Sequence, residues 1–340
     1  MARHNRLCTK LTRPVWLLAA VLIVARAAGA APRPVILDTD ICDDIDDTWA
    51  LALLVQSPEL DCKLVTTAVG NTEAKAKVVA KYLDKVGHAQ IPVGIGIKQR
   101  DGGHRHTDWA EDYDLSSYPG GVYKDGVSAL IDVVMKSPQR MTIIAVGPLP
   151  NIAAALEREP RIAEKADFIG MHGSIYKGYG GKSTPDAEYN VKADAAACRK
   201  VFTAAWPITI TPLDTCGLVV LRGDKYQKVF TRNSAITDYL LENYRLWQAN
   251  GLRGQDKDID EADLQRRVDD IVKHRSSTLF DTVAVYLAIS HGFTKMERLP
   301  VAITDAGHTK VTEGAKVIDC AIDWNTLGGF EDFLVERLTK

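Results

Sequence analysis

The sequence predicts an α/β fold: a single domain with a mainly parallel, doubly wound sheet that is flanked by helices. Short apolar runs of strand length alternate with helical runs after Pro34, which is the pattern of a parallel sheet covered by helices. The chain has 340 residues, 46% hydrophobic and 25% charged, which is ordinary for a globular protein. Because no linker rich in Gly, Ser or Pro divides the chain, residues 31–340 are predicted to form one domain.

The predicted elements follow one another in a regular order. Strands are expected at residues 35–37, 63–69, 91–97, 141–146, 168–171 and 208–211. Helices are expected at residues 49–55, 74–86, 127–135, 152–156 and 195–202, and helical periodicity continues over 225–250 and 279–289. The charged stretch 253–273 is expected to be a solvated loop or an exposed helix, and the polar segment 102–121 a long loop that covers a site.

The first thirty residues have the three parts of a secretory signal peptide. Basic residues come first, an apolar run over 15–24 follows, and Ala28-Gly29-Ala30 ends the segment. An apolar run of about ten residues is too short for a membrane span, which needs roughly 20. We therefore expect cleavage after Ala30, a secreted or periplasmic mature protein, and no stable membrane anchor after cleavage.

The charge of the chain points to a small-molecule partner. A formal net charge of −2 and a pI near 6.5 lack the basic footprint of proteins that bind nucleic acid or anionic membranes. Five cysteines follow residue 30, and an odd count without short-range pairs argues against a disulfide framework. One bridge remains open, and the spacing does not say which.

Six aspartates crowd into the ten residues from Asp38 to Asp47. No Lys or Arg occurs between Arg33 and Lys63, so these carboxylates must hold protons, face water or share a cation. A buried strand before them and an apolar helix after them place them at a strand-to-helix junction, where open α/β sheets bind ligands. All-oxygen ligation suits Ca²⁺ or Mg²⁺ rather than zinc, and hydrolysis is the natural reaction class for such an ion.

Five motifs in the same order resemble the inosine-uridine type nucleoside hydrolases, across nearly all of the mature chain. The acidic turn resembles the family's longer variant, which has two extra residues between its acidic groups. The other motifs are residues 66–71 (TTAVGN), 145–156 (AVGPLPNIAAAL), 171–173 (MHG) with 184–202, and 279–288 (LFDTVAVYLA). The resemblance implies cleavage of ribonucleosides to ribose and free base, Ca²⁺ as the cofactor, and a homodimer or homotetramer.

The resemblance also implies roles for individual residues. Asp40, Asp47 and Asp281 would bind Ca²⁺, and the carbonyl oxygen of Pro150 would complete the protein ligands; a proline suffices there because only its C=O is needed. Asp40 would also act as the general base for the water that attacks C1′. The ribose would be held by Asp46, Asn71, Met171, Glu188 and Asn190.

Three positions depart from the family pattern. Phe280 occupies the position where many members carry a histidine that protonates the leaving base. Lys182 falls near the position of a ribose-binding asparagine. Cys42 replaces a glycine in the acidic turn, where a positive φ is harder for a residue with a side chain.

The leaving base could be activated in two ways. Aromatic stacking would involve Trp109, with Tyr244 or Trp247 as its partner. Alternatively, His104 or His106 in the polar segment would donate a proton. The sequence leaves purine or pyrimidine preference open, because it depends on where loop side chains lie.

Two other functions remain open at this point. A binding protein could keep the calcium and ribose sites without turnover, and the departures at Lys182 and Phe280 motivate this alternative. A haloacid-dehalogenase-like phosphatase also carries a DxD motif after an apolar strand, but it would leave the pair Asp46 and Asp47 unexplained.

Overall fold

The computed structural model describes Met1, residues 31–102 and residues 105–340. The predicted signal peptide and its cleavage site therefore lie largely outside the described residues, and so does His104. In the part of the chain that is described, no helix is long and apolar enough to cross a membrane. The account that follows concerns the compact unit Pro32–Lys340.

A ten-stranded sheet runs through this unit, in the order β4-β3-β2-β1-β5-β6-β7-β10-β8-β9. Its strands are β1 (Arg33–Thr39), β2 (Leu60–Thr67), β3 (Val93–Ile95), β4 (Val122–Tyr123), β5 (Met141–Ala145), β6 (Ala166–Met171), β7 (Ile208–Thr211), β8 (Thr294–Ile303), β9 (Thr309–Val311) and β10 (Val317–Trp324). Neighbouring strands are parallel from β4 through to β10, and only β8 pairs antiparallel with β10 and β9. The mainly parallel sheet that the sequence predicts is confirmed.

Helices flank the sheet along its whole length. In the described residues they are α1 (Asp46–Val55), α2 (Thr72–Lys85), α3 (Gly126–Lys136), α4 (Pro150–Arg158), α5 (Ile162–Lys165), α6 (Tyr189–Ala193), α7 (Ala195–Thr203), α8 (Gly223–Phe230), α9 (Ala235–Gln255), α10 (Glu261–Val272), α11 (Phe280–Leu287) and α12 (Leu327–Leu338).

Helices cover both faces of the sheet. The side chains of each strand point alternately to the two faces. Val35 and Leu37 of β1 point into a core shared with α1, α2 and α8 to α12. Ile36 points into a second core shared with α3, α4, α5 and α7. Apolar residues on both faces of β1 are what a doubly wound sheet requires, so this prediction is also confirmed.

The structure decides one open alternative and adds elements that were not predicted. The charged stretch 253–273 contains α10, which buries only Leu264, Val268 and Val272; of the solvated loop and the exposed helix, the helix is confirmed, and it is amphipathic. No strand was predicted after residue 289, yet β8, β9 and β10 form there. Strand β8 (TKMERLPVAI) is largely half-buried and carries charged residues, which weakens the apolar signal of a strand.

The strand order reverses beside β1, and this positions the acidic turn. Strands β2 to β4 lie on one side of β1, and β5 to β7 lie on the other. Helices α1 and α4, which follow β1 and β5, pack into different cores. A crevice therefore opens at the carboxyl ends of β1 and β5, where open α/β sheets bind their ligands.

The cysteine pairing that the sequence left open is resolved by the structure. Among the described residues, all five cysteines are free: Cys42, Cys62, Cys198, Cys216 and Cys320.

Candidate active site

A cavity of about 360 Å³ occupies the crevice. Carboxylates of the acidic turn line one side, and the start of α11 adds Asp281. Met171, at the end of β6, and the segment Glu188–Asn190 line another side. Arg105 of the polar segment and Arg100, just before it, also contribute to the wall. The cavity thus collects most of the predicted site residues from four distant parts of the chain.

Asp46, Asp47 and Asp281 form a carboxylate triad at the first turns of two packed helices. One oxygen of each carboxylate lies within 4.8 Å of the others, and all three residues are buried. The backbone N–H of Asp281 donates a hydrogen bond of 3.2 Å to Oδ2 of Asp46, and the Thr39 hydroxyl donates to Asp47. Helix N-termini favour negative charge, and a donor set made only of carboxylates fits a hard divalent cation.

Asp40 faces the same cavity from the end of β1, and its charge interacts with the triad. Burial raises the pKa of Asp40 to about 8, a shift that the carboxylate of Asp43 increases and the ammonium of Lys75 opposes. Burial, reinforced by the neighbouring carboxylates, also raises the pKa values of Asp46, Asp47 and Asp281 well above normal. These groups therefore hold protons unless a cation replaces them.

A rigid polar wall lies on the other side of the cavity. The Glu188 carboxylate is buried and accepts hydrogen bonds from the backbone N–H groups of Gly173 (3.0 Å) and Asn190 (2.7 Å). Burial nevertheless raises the pKa of Glu188 to about 7. Nδ2 of Asn190 donates to the carbonyl oxygens of Val146 and Met171, both at 3.0 Å. These bonds hold an acid and an amide in place beside the cavity, which is how proteins recognise a polar sugar.

Three aromatic side chains also line the cavity. Tyr179 and Phe280 meet edge to face, with ring centroids 6.1 Å apart and an interplanar angle of 81°. Tyr189 lies under the guanidinium of Arg100, 5.8 Å from the ring centroid. Tyr189 and Phe280 are sequence neighbours of predicted site residues, which is the signal that could have identified them. Tyr179 lies in a glycine-rich loop and had no such signal.

Comparison with known proteins matches this architecture to one family. The family model of the inosine-uridine preferring nucleoside hydrolases matches residues 35–328. The chain belongs to this family. The family and fold class inferred from the sequence motifs are thereby confirmed, and the haloacid-dehalogenase-like phosphatase is excluded.

Relatives of this nucleoside hydrolase include the non-specific ribonucleoside hydrolases RihC of Salmonella agona (strain SL483) and Salmonella newport (strain SL254). Each is 32% identical over 223 residues, which are 62% of this chain and 71% of the relative. Two similar solved structures are a plant nucleoside hydrolase, PpNRh1 (TM-score 0.72, 23% identity), and a purine-preferring ribonucleoside hydrolase from Gardnerella vaginalis (TM-score 0.71, 19% identity). They cover 91% and 90% of this chain, and 99% and 98% of their own chains. At these identities the two structures support the shared fold.

The metal ligands expected in this nucleoside hydrolase are grouped differently from the prediction. Asp47 and Asp281 come together as expected, but the third carboxylate of the close group is Asp46 rather than Asp40. Asp40 lies at a strand end, whereas Asp46 and Asp47 share the first turn of α1. Pro150 is the first residue of α4 and is buried, but it is not part of the cavity wall.

Asn71 was expected to bind ribose, and the structure places it elsewhere. Its side chain is exposed and caps α2 by accepting a hydrogen bond of 3.1 Å from the backbone N–H of Ala74. It lines a separate surface groove with Glu73 and Thr107. An asparagine at an N-cap position satisfies one of the free N–H groups of the helix, so the ribose-binding role is not supported.

The expected stacking residues also lie outside the cavity wall. Trp109 packs against Tyr239, with ring centroids 6.1 Å apart. Tyr244 is buried, and Trp247 lies 4.9 Å below the guanidinium of Arg105. Trp247 thus contacts a cavity residue without lining the cavity, and the structure does not bring Trp109 or Trp247 to the cavity wall.

Neither His106, a candidate proton donor, nor Lys182, which falls near the position of a ribose-binding asparagine, lines the cavity. His106 is fully buried, with Nε2 3.4 Å from the Thr48 hydroxyl, and burial lowers its pKa to about 3. Lys182 pairs with Asp186 at 2.6 Å, outside the cavity. Among the described residues that line the cavity, none is a histidine. Proton donation by His106 is therefore not supported.

The acidic turn obtains a fixed counter-charge from α2, which the sequence analysis missed. The ammonium of Lys75 is fully buried and pairs with Asp43 at 2.5 Å. Lys75 shares one helical stripe with Val78, Val79 and Tyr82, all of them buried. A lysine on the buried stripe of an amphipathic helix was the available signal, because buried charges are almost always paired.

The acidic turn keeps a left-handed residue despite the loss of glycine. Cys42 adopts a φ of 79° and its side chain is fully buried. A non-glycine residue in this conformation costs roughly 1–2 kcal/mol. The surrounding packing and hydrogen bonds must therefore hold the turn in place.

Proposed function

We propose that this nucleoside hydrolase is an exported, calcium-dependent enzyme that cleaves the N-glycosidic bond of ribonucleosides and releases ribose and a free base. The observation that carries the proposal is the cavity in which the triad of Asp46, Asp47 and Asp281 lies beside Asp40 and the wall of Glu188 and Asn190. The relatives named non-specific ribonucleoside hydrolase support ribonucleosides as the substrate class. Export rests on the sequence of residues 1–30.

The carboxylate donor set supports a hard divalent cation, and the family resemblance favours calcium. Asp47 and Asp281 would bind it from two helix N-termini, Asp40 would approach from β1, and the carbonyl of Pro150 would complete the set as the family resemblance implies. Asp46 is close enough to contribute as well. When bound, the ion would lower the pKa of water at the site. The raised pKa values of the apo site fit this assignment, because a cation would take the place of the protons.

The protein side chains would perform the remaining steps. Asp40 would accept a proton from the attacking water, within a buried cluster of negative charge. Glu188, Asn190 and Met171 would hold the ribose with C1′ directed at that water. Carboxylates beside the sugar would stabilise the oxocarbenium-like transition state in which the bond to the base breaks.

Tyr179, Phe280 and Arg105 all line the cavity, and we propose that they would receive the departing base. The two rings offer an apolar contact to a flat base. Arg105 carries a guanidinium, which donates hydrogen bonds but does not lose its proton. It would stabilise the negative charge on the departing base, in place of the proton that a histidine gives in other members of the family.

Release of reducing sugar tests the proposal. The purified protein would be incubated with inosine, adenosine, guanosine, uridine and cytidine, with Ca²⁺ or with EGTA. We expect release that is abolished by EGTA and in Asp40→Ala, and retained in Asp256→Asn, which changes an exposed aspartate outside the cavity. Binding of Ca²⁺ and ribose without release from any nucleoside would overturn the hydrolase and favour the binding protein.

Export is tested separately. We expect the full chain to accumulate outside the cytoplasm, shortened by residues 1–30, and a chain that lacks residues 2–30 to stay inside. N-terminal sequencing of the exported protein would locate the cut. An exported protein that retains Met1 would contradict cleavage after Ala30.

A further inference from the structure

We infer that Lys75 is a positioning residue for Asp40, and that Asp43 belongs to this support rather than to the cation site. The inference rests on the proposed function, in which Asp40 accepts the proton of the attacking water. It concerns the residues that hold this carboxylate in place.

The ammonium of Lys75 is held by three acceptors. Nζ donates to the carbonyl oxygen of Asp40 at 2.8 Å, to Oδ1 of Asp43 at 2.5 Å and to the carbonyl oxygen of Ala68 at 3.3 Å. The Lys75 side chain has no exposed surface. An ammonium has three N–H donors, so all three are used, and the backbone of Asp40 is tied directly to α2.

Asp43 connects Lys75 to Arg100, another residue that lines the cavity. Its Oδ2 accepts a hydrogen bond of 2.8 Å from Nη2 of Arg100, while its Oδ1 accepts from Lys75. Arg100 lies over the ring of Tyr189 and donates to its hydroxyl oxygen. Tyr189 directly follows Glu188 of the opposite wall. Asp43 thus links the acidic turn to the segment that would hold the ribose.

Both oxygens of Asp43 are therefore engaged by cations of the protein itself. The close carboxylate group contains Asp46, Asp47 and Asp281, and it does not include Asp43. Asp43 is one of the carboxylates of the acidic turn. The turn thus supplies an anion that anchors Lys75, and Lys75 in turn fixes the carbonyl group of Asp40.

A positioning role and a role as mere counter-charge make different predictions. If Lys75 only offset negative charge, removing one positive and one negative group together would leave the site unaffected. If it positions Asp40, the loss of its hydrogen bond to the Asp40 carbonyl would slow turnover even when the net charge is unchanged. A misplacement of about 1 Å can cost about 100-fold in rate.

The double variant Lys75→Met with Asp43→Asn tests this difference, because its net charge equals that of the wild type and it leaves no unpaired buried carboxylate at residue 43. We expect kcat on the best ribonucleoside to fall by about 10- to 100-fold. Calcium affinity by isothermal titration and the melting temperature with Ca²⁺ should remain close to wild type. Lys81→Met, on the same helix but outside the cavity, is the matched control with unchanged kcat.

A double variant with wild-type kcat would overturn the inference, and so would a calcium affinity that falls in proportion to kcat. If this variant does not fold, Lys75→Arg provides the same test, because it keeps the positive charge but changes the donor geometry. Lowered kcat with wild-type calcium affinity supports positioning, and wild-type kcat overturns it. Failure of the wild-type protein to hydrolyse any nucleoside would instead refute the proposed function.

Discussion

Gly147 lies directly against the carboxylate of Asp40. A Cβ built on Gly147 would be 2.6 Å from Oδ1 and 2.9 Å from Cβ of Asp40. Gly147 follows β5 closely, at the point where the strand order reverses. The absence of a side chain there lets the carboxyl end of β5 approach the proposed general base.

Replacing Gly147 with alanine should therefore displace Asp40. We expect Gly147→Ala to lower kcat/KM by about 100-fold or more, because the carboxylate must move away from the added methyl group. Gly254→Ala is the control, since no heavy atom lies within 4 Å of the Cβ position there. Steady-state kinetics on one nucleoside would compare the two. Equal kcat/KM values for both variants would show that Asp40 tolerates the displacement.

The stability of the metal-free protein should fall as the pH rises. The pKa values of Asp40 and Glu188 are raised in the folded state to about 8 and about 7, chiefly by burial. The folded state therefore binds these protons more tightly than the unfolded chain. Their stabilising effect is present in full below the unfolded values near 4, and it is lost as the pH rises through 7 and 8.

Calcium should reverse this loss, because it replaces the protons. Thermal melting in EGTA should show a falling melting temperature from about pH 5 to about pH 8. The increase caused by Ca²⁺ should be larger at the higher pH, and Asp40→Asn should flatten the profile in EGTA. A metal-free melting temperature that rises over this range would contradict the burial of unpaired carboxylates.

Asn71 should affect stability and leave catalysis unchanged. Its side chain caps α2, and loss of such a cap typically costs about 1 kcal/mol. We expect Asn71→Ala to lower the free energy of unfolding by about this amount in urea, with kcat/KM at the wild-type value. A loss of activity without a loss of stability would return Asn71 to the ribose site.

Arg105 should matter most for substrates with poor leaving groups. We expect Arg105→Met to lower kcat on natural ribonucleosides by about 100-fold, the usual effect of removing a donor that stabilises developing charge. Hydrolysis of p-nitrophenyl riboside should change little, because its leaving group needs no such help. Arg253→Met, on the exposed part of α9, is the control. Equal losses on both substrates would place Arg105 on the ribose instead.

The fold was largely predictable because its central strands are buried on both faces. Such strands appear in the sequence as short, continuous apolar runs, and residues 35–37 and 168–171 both show them. The antiparallel strands β8 and β9 at the edge have half-exposed side chains instead. Their pattern is mixed, and their position depends on the pairing of β8 with β10 and of β9 with β8 rather than on any local signal.

The candidate site was predictable where its residues occupy the ends of regular elements. Asp40 ends a strand, and Asp47 and Asp281 begin helices, so the topology brings them to one crevice. The sequence could not show whether Trp109 and Trp247 reach the cavity, because the direction in which a loop or a helix face points depends on tertiary packing. Lys75 was missed because its partners in the acidic turn, Asp40 and Asp43, lie more than 30 residues away along the chain.

The thiols of the five described cysteines are poorly placed to be oxidised. Four are buried and Cys62 is partly buried, and burial raises the pKa of each one above the ordinary value. The thiolate is the form that oxidises or exchanges with disulfides, and these groups rarely reach it. We therefore expect these five described cysteines to stay unpaired in reducing and oxidising compartments alike.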